Sequence, residues 1–225
     1  LYAVALKRRG GFDFRAPTEA DLAAVAAAEA ELARKRPLWE ARDVIPTEER
    51  YIGPADRSEN YGVKCYSDFF SPRQLLALGT LVETLHELRA DLRAALDAEH
   101  AEAVETCLAL AIDKAIDRNA VLATWIPQRQ VIGHVFQRHD FAFVWAYAEF
   151  DASANLLSWC VDQIVDSYKG LADLLTSAPM QLGSAAVERG SLMQIQGNAG
   201  RLAALPEASV DLIVTDPPYY DNVMY

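Results

Sequence analysis

Asp216-Pro217-Pro218-Tyr219 follows directly on the apolar run Val210-Asp211-Leu212-Ile213-Val214-Thr215. These residue types suit methyl transfer to an exocyclic amine, such as that of a nucleobase. Such an amine is a poor nucleophile because its nitrogen lone pair is delocalised into the ring, and to attack a methyl sulfonium it must move toward tetrahedral geometry. The Asp216 carboxylate and the Pro217 carbonyl can each accept one amine hydrogen, which points the lone pair at the donor and offsets the positive charge that builds on nitrogen. Pro217 and Pro218 fix φ at successive positions and so hold that carbonyl in place. Tyr219 offers an aromatic face for a base taken out of the stack, and Tyr220 could line the same pocket or pack beneath it. The competing reading, a surface Pro-Pro turn after a core strand, does not explain the carboxylate and the tyrosine together.

Such a loop needs a strand behind it. Leu212 to Thr215 read as a short buried parallel strand, and catalytic loops of open α/β sheets sit at the carboxyl ends of such strands. Upstream, Ser191 to Gln196 read as a strand, Gly197-Asn198-Ala199 as a turn and Arg201 to Leu205 as a short helix, together a βαβ unit with a tight crossover. A methyl-donor enzyme of this kind also needs a glycine-rich loop for close backbone approach to S-adenosylmethionine. No G-x-G occurs in the sequence, so that loop is expected outside these residues. Asn198 sits where a turn would meet the adenine of the cofactor; an Asn tolerated in a left-handed turn is the equal alternative.

The rest of the chain reads as mostly helical. Leu1 to Leu6 and Phe12 to Phe14, joined through Gly10-Gly11, read as a β-hairpin. Thr18, with Asp21 three residues on, reads as the N-cap of an alanine-rich helix that runs to about Arg36 and is ended by Pro37. Leu38 to Tyr66 read as a long connecting loop. Ser71-Pro72 starts a helix with Leu75, Leu78, Val82, Leu85 and Leu92 on one face. A helix from about Asp97 to Trp125 should pack on it as an antiparallel hairpin. A further helix over Asn155 to Ser177 should turn Leu156, Trp159, Cys160, Ile164, Tyr168, Leu171 and Leu175 inward. The expected organisation is an N-terminal hairpin, helix and loop over 1–60, a helical region over 61–178 and part of a sheet over 179–225.

Composition narrows the classes. With 225 residues and 52% hydrophobic content the chain can bury a substantial core. No apolar run approaches the ~18 residues of a membrane span, and no signal peptide opens the chain. Cys65, Cys107 and Cys160 are widely spaced, which argues against a disulfide framework or a zinc ribbon and suits a cytoplasmic location. His134 and His139, at i and i+5, are poorly spaced as helical ligands, so no metal is expected. The net charge of −11 is awkward for a duplex binder, which ordinarily brings a basic patch. The basic residues are few: Lys7-Arg8-Arg9, Arg34-Lys35-Arg36, Arg129 and Arg138. Solvated loops or helix ends explain all but the first of these clusters better than phosphate contact does. Both ends read as the edges of an internal segment of something longer.

Several blocks go beyond the tetrapeptide. Tyr61-Gly62-Val63-Lys64, Phe70 through Leu78, Asn119 through Trp125, Phe136-Gln137-Arg138, Val144 through Glu149 and the end, Thr215 through Val223, resemble the bacterial and archaeal adenine-specific DNA methylases that usually carry a zinc-ribbon insertion. The resemblance spans roughly Tyr61 to Tyr225. It implies an α/β fold with a partial Rossmann-like S-adenosylmethionine methyltransferase sheet and a large, mostly helical insertion. It further implies methylation of a flipped-out DNA adenine at N6, S-adenosylmethionine as donor, a glycine-rich cofactor loop upstream of Leu1, and phage-defence or restriction partners. Arg73, Asn119 and Arg138 lie inside the resembling blocks and become candidates for DNA or pocket contacts, with structural ion pairs and caps as the competing reading. Two departures stand out: the segment has no paired cysteines for a ribbon, and Asn198 stands where the family generally has aspartate. RNA or protein-amide methylation, and a non-catalytic docking module in a defence complex, are the rival readings.

Overall fold

Gly10 and Gly11 interrupt an extended run, and the chain turns back on itself there. In the computed structural model, which describes residues 1–49, 58–135, 144, 146–176, 181–182, 185–186, 195–198, 200–202 and 204–216, the first element is the expected hairpin. Strand β1 (Val4–Arg8) pairs antiparallel with β2 (Gly11–Arg15), from Val4 opposite Arg15 to Arg8 opposite Gly11. Gly11 sits at φ +146, a conformation side chains rarely adopt.

Helix α1 (Glu19–Ala41) starts at the Thr18 capping box. The Asp21 carboxylate accepts the Thr18 backbone N–H at 2.7 Å and two donors from the Arg15 guanidinium. The helix does not stop at Pro37 as expected but runs through it to Ala41. A proline inside a helix forfeits a backbone bond and costs about 3 kcal/mol. Trp39, fully buried just beyond it, supplies the opposing term: burying an indole is worth a similar amount. Its Nε1–H donates to Glu83 Oε1 at 2.9 Å, and Glu83 also takes the Lys35 ammonium. The Trp39 ring lies against Gly79, where an added Cβ would come within 2.5 Å of it.

Helix α2 (Pro72–Ala95) opens with the predicted Ser71 N-cap and Pro72 at its first position, and α3 (Ala98–Ile116) with Asp97 as N-cap. The two-residue link makes them an antiparallel pair, joined on the exposed side by Arg89 and Arg93 to Glu105. Leu78 of α2 and Ala111 and Ala115 of α3 share a core cluster with Leu156 and Cys160. Helix α3 ends well before Trp125. Asp117, Arg118 and Asn119 turn their side chains to backbone groups farther along, the alternative that such residues offer to continued helix. The chain then forms a second small hairpin, β3 (Trp125–Ile126) with β4 (Val131–Ile132). Helix α4 (Leu157–Thr176) follows a single π-helical turn over Ala152–Leu156.

By its own contacts the chain divides into two units, Leu1–Ser167 and Tyr168–Val223, with the boundary inside α4. In the second unit, β5 (Gln181–Leu182) and β6 (Ala185–Ala186) pair antiparallel. Among the described residues the protein is thus α/β, with four α-helices and two-stranded antiparallel sheets. No described helix is long and apolar enough to cross a membrane.

Three expectations for the second unit change. Leu212 to Thr215 form no strand, and Leu212, Ile213 and Val214 are 78%, 69% and 86% exposed. A parallel strand is held by hydrogen bonds to neighbours, and the described residues offer it none. The stretch from Arg201 makes turns rather than a helix, closed by Arg201 N–H to the Asn198 carbonyl and Leu205 N–H to the Leu202 carbonyl. Of the strand expected over Ser191 to Gln196, residues 191–194 lie outside the described residues and Ile195 and Gln196 carry no strand. The inward stripe of α4 is also only half realised. Leu156 and Cys160 are fully buried, whereas Tyr168, Leu171 and Leu175 are exposed. Periodicity identifies the apolar side of a helix but not how far along it a neighbour reaches.

Candidate functional site

Two candidates from different helix ends, Arg73 and Asn119, converge on one dipeptide. The capping box that starts α2 sets Arg73 in the first turn. From there its Nε and Nη2 donate to the two carboxylate oxygens of Glu149, at 2.9 and 2.7 Å. This is a parallel two-point bond that only a guanidinium can make. Glu149 holds the Arg73 guanidinium pKa above its ordinary value. Asn119, released from α3 by the turn at its end, is 1% exposed and accepts the Phe150 backbone N–H at its Oδ1, 3.1 Å away. The neighbouring chain is fixed by backbone bonds as well: Ala148 N–H to the Ala123 carbonyl, and Val121 N–H to the Phe69 carbonyl. The blocks at Phe70 to Leu78, Asn119 to Trp125 and Val144 to Glu149, separate in sequence, are therefore tied together around residues 149 and 150.

Phe150 stacks on Trp159 at 5.7 Å, and the cations of Lys114 and Arg118 lie 5.6 and 5.7 Å from the Trp159 ring. Burial beneath this group pushes the Cys160 thiol pKa up, which keeps it protonated. Beside it, Asp117 takes the Val135 N–H at 3.1 Å and sits 2.6 Å from His134 Nδ1, while His134 Nε2 is 2.9 Å from Arg118 Nη2. Two buried amide nitrogens, Gln74 Nε2 and Asn119 Nδ2, make no hydrogen bond among the described residues, an exception to ordinary polar pairing. Gln74 is fully buried, and its Oε1 accepts the Ser71 N–H at 2.9 Å.

The second unit holds the other candidates. Asn198 is exposed; its Oδ1 accepts the Gly200 N–H at 2.8 Å and its carbonyl accepts Arg201 N–H at 2.8 Å, an Asx turn. Asp216 is exposed at the end of the unpaired apolar segment. Pro217, Pro218, Tyr219, Tyr220 and Arg138 lie outside the described residues.

Sequence reasoning named Arg73 and Asn119 but missed their partners. Glu149 lies in a resembling block yet has no local spacing to Arg73, because the pair is closed by tertiary packing. Gln74 was legible: Ser71-x-x-Gln74 is a capping-box spacing. Asp117 and His134 carry no spacing signal at all. Among the described residues no group of three or more His, Cys, Asp and Glu side chains converges to hold a metal. No family model, curated protein or solved structure matches this chain.

Proposed function

We propose that this chain is part of an S-adenosylmethionine-dependent amino-methyltransferase acting on DNA adenine at N6, with a Rossmann-like catalytic sheet. The observation that carries the reading is the run from Val210 to Tyr219, an apolar segment delivering Asp-Pro-Pro-Tyr. The residue Asp216 lies on the exposed surface, where a target base can approach it. Asp216 and the Pro217 carbonyl would accept the two amine hydrogens, and Tyr219 would stack on the flipped base. S-adenosylmethionine would supply the methyl group. Asn198 spends its side-chain oxygen on its own turn, and no G-x-G occurs in the sequence. The reading therefore rests on the amine-orienting residues alone.

Arg73 and Asn119 fit a positioning role, since the Arg73 guanidinium is engaged with Glu149 and the Asn119 Oδ1 with the Phe150 N–H. The decisive measurement is methyl incorporation into DNA by the intact protein carrying Asp216→Ala. A fall of about a hundredfold or more is expected; a rate within a few-fold of wild type overturns the assignment. Parallel assays on RNA and protein substrates separate the related amine and amide chemistries. The second reading, a docking module of a defence complex, is favoured by the exposed apolar residues Tyr168, Leu171, Leu174 and Leu175 on α4. It predicts no S-adenosylmethionine binding by the intact protein.

A further inference from the structure

Two hairpins far apart in sequence meet beside their turns. Phe12 and Phe14 of β2 both meet the Trp125 ring edge-on, at 5.4 and 5.8 Å. Gln130, in the turn between β3 and β4, lies so close to Gly11 that a Cβ there would come within 2.5 Å of its amide oxygen. Gln130 itself sits at φ +52, so the contact is made from an unusual backbone position. The consequence is electrostatic. The first hairpin carries Lys7, Arg8 and Arg9 at and beside its turn, and the second carries Arg129 in its turn; all four are exposed. The residues of these two hairpins include one acid, Asp13, and it is paired with Arg8 at 3.2 Å. Lys7, Arg9 and Arg129 make no side-chain hydrogen bond or ion pair among the described residues. In a chain of net charge −11, some described cations are neutralised by a neighbouring carboxylate, as Arg34, Arg36 and Arg93 are, while Arg42, Lys64, Lys114, Lys169 and Arg201 make no ion pair among the described residues. What sets the joined turns apart is that the hairpins carrying Lys7, Arg9 and Arg129 meet and hold no acid besides the paired Asp13.

We propose that the joined turns, presenting Lys7, Arg9 and Arg129, are a binding surface for the phosphate backbone of duplex DNA. Exposed cations without internal partners bind phosphates with release of condensed counterions, which supplies most of the sequence-independent affinity. Each sheet here is a two-stranded ribbon, an element of the width the major groove of B-DNA admits. The aromatic contacts of Trp125 with Phe12 and Phe14 hold the two ribbons together, so the charges are presented as a set. The choice of DNA among polyanions rests on the methyl-transfer reading; the basic surface itself rests on the hairpin geometry.

The test is binding of a fluorescent duplex across a salt series by the intact protein and by Lys7→Ala/Arg9→Ala/Arg129→Ala. The triple variant should bind roughly ten- to a hundredfold more weakly at about 0.1 M salt, and the slope of log affinity against log salt should shrink by about 2 to 3. A matched variant, Arg34→Ala/Arg36→Ala/Arg93→Ala, removes the same charge from paired sites and should stay within about threefold of wild type. Equal binding by the hairpin variant and wild type overturns the proposal. So does an equal loss in both variants, or wild-type protein that binds phosphatidylserine vesicles and not DNA. Unchanged circular dichroism melts confirm that the substituted protein is folded. Asp216→Ala separates the two ideas: it should abolish methyl transfer and leave duplex binding intact. Patch-dependent binding without any methyl transfer by wild type sinks the catalytic reading alone, and methyl transfer indifferent to the hairpin substitutions sinks the surface alone.

Discussion

The chain around Glu149 and Phe150 and the chain leading to Asp216 are built on opposite principles. In the first, half-buried or buried polar side chains from two helix ends reach across to a loop, and backbone bonds from Ala123 and Phe69 hold neighbouring strands of chain. In the second, a run of strongly β-forming residues lies exposed, and Val214 has 86% of its surface open. The contrast shows where information is stored. A capped helix can be finished locally, and a single long-range bond such as Arg73 to Glu149 then fixes what packs on it. A parallel strand stores nothing locally, because its hydrogen bonds and both its faces belong to neighbours. Apolar character alone does not make it a strand.

If the first region is the rigid one, its stability should depend on single contacts. The largest effect is expected at Trp39, which is fully buried against Gly79 and ties the end of α1 to α2. Trp39→Ala should cost about 3 to 5 kcal/mol in denaturant unfolding. A loss below about 1 kcal/mol would mean that α1 is not anchored there, and that its passage through Pro37 has another cause. Next comes Arg73→Ala, which strands the half-buried Glu149 carboxylate. After discount for solvent, about 1 to 2 kcal/mol should be lost. Arg73→Lys should recover part of it, because an ammonium cannot make the paired bond. Should both variants melt like wild type while DNA affinity falls, Arg73 is a contact residue and the two regions are less different than the geometry makes them.

Much of the helical half was legible in the sequence, and for identifiable reasons. Thr18 with Asp21, and Ser71 with Pro72 and Gln74, are local signals with local consequences, and both caps form. Helix ends read from proline or from apolar character were less secure. Pro37 was overridden by the burial of Trp39, and α3 ended early because Asp117 and Asn119 had long-range backbone groups to bond. Those partners, Val135 and Phe150, are invisible to any spacing rule. For the candidate catalytic site, the chemistry proposed for Asp216 to Tyr219 comes from residue types, while the strand and crossover around it were inferred from pattern. The described residues Leu212 to Thr215 do not pair, since no pattern within one strand specifies its neighbour.

A smaller effect should appear in acid. Asp21 has its carboxyl held well below the usual range, first by the Arg15 guanidinium and then by the Thr18 hydroxyl and backbone N–H. A pKa depressed in the folded state means the unfolded chain binds the proton more readily. The stabilisation is therefore complete above the unfolded value of about 3.9 and is lost as pH falls from there through the folded value. Asp21→Asn should flatten the acid limb of the stability curve in that window and leave its shape at neutral pH unchanged. An unaltered acid limb would show that the capping box contributes no proton-linked stability.

The smallest expected effect probes the other side of the comparison. Val214→Ser replaces an apolar side chain that is almost wholly in water, so the unfolding free energy should change by no more than about 0.5 kcal/mol. The same substitution in a buried parallel strand would remove well over 1 kcal/mol, from lost apolar burial and an added hydroxyl needing a partner. The two arrangements therefore predict values that do not overlap, and one melting series on the intact protein distinguishes them. A small change places the Asp216 segment among the exposed parts of the fold. A large one means that Leu212 to Thr215 is covered in solution, and the catalytic reading would then gain the strand it asks for at the cost of the arrangement described for this segment. Pairing Val214→Ser with Trp39→Ala checks this further: the two sites belong to different units, and their effects should add if they are independent.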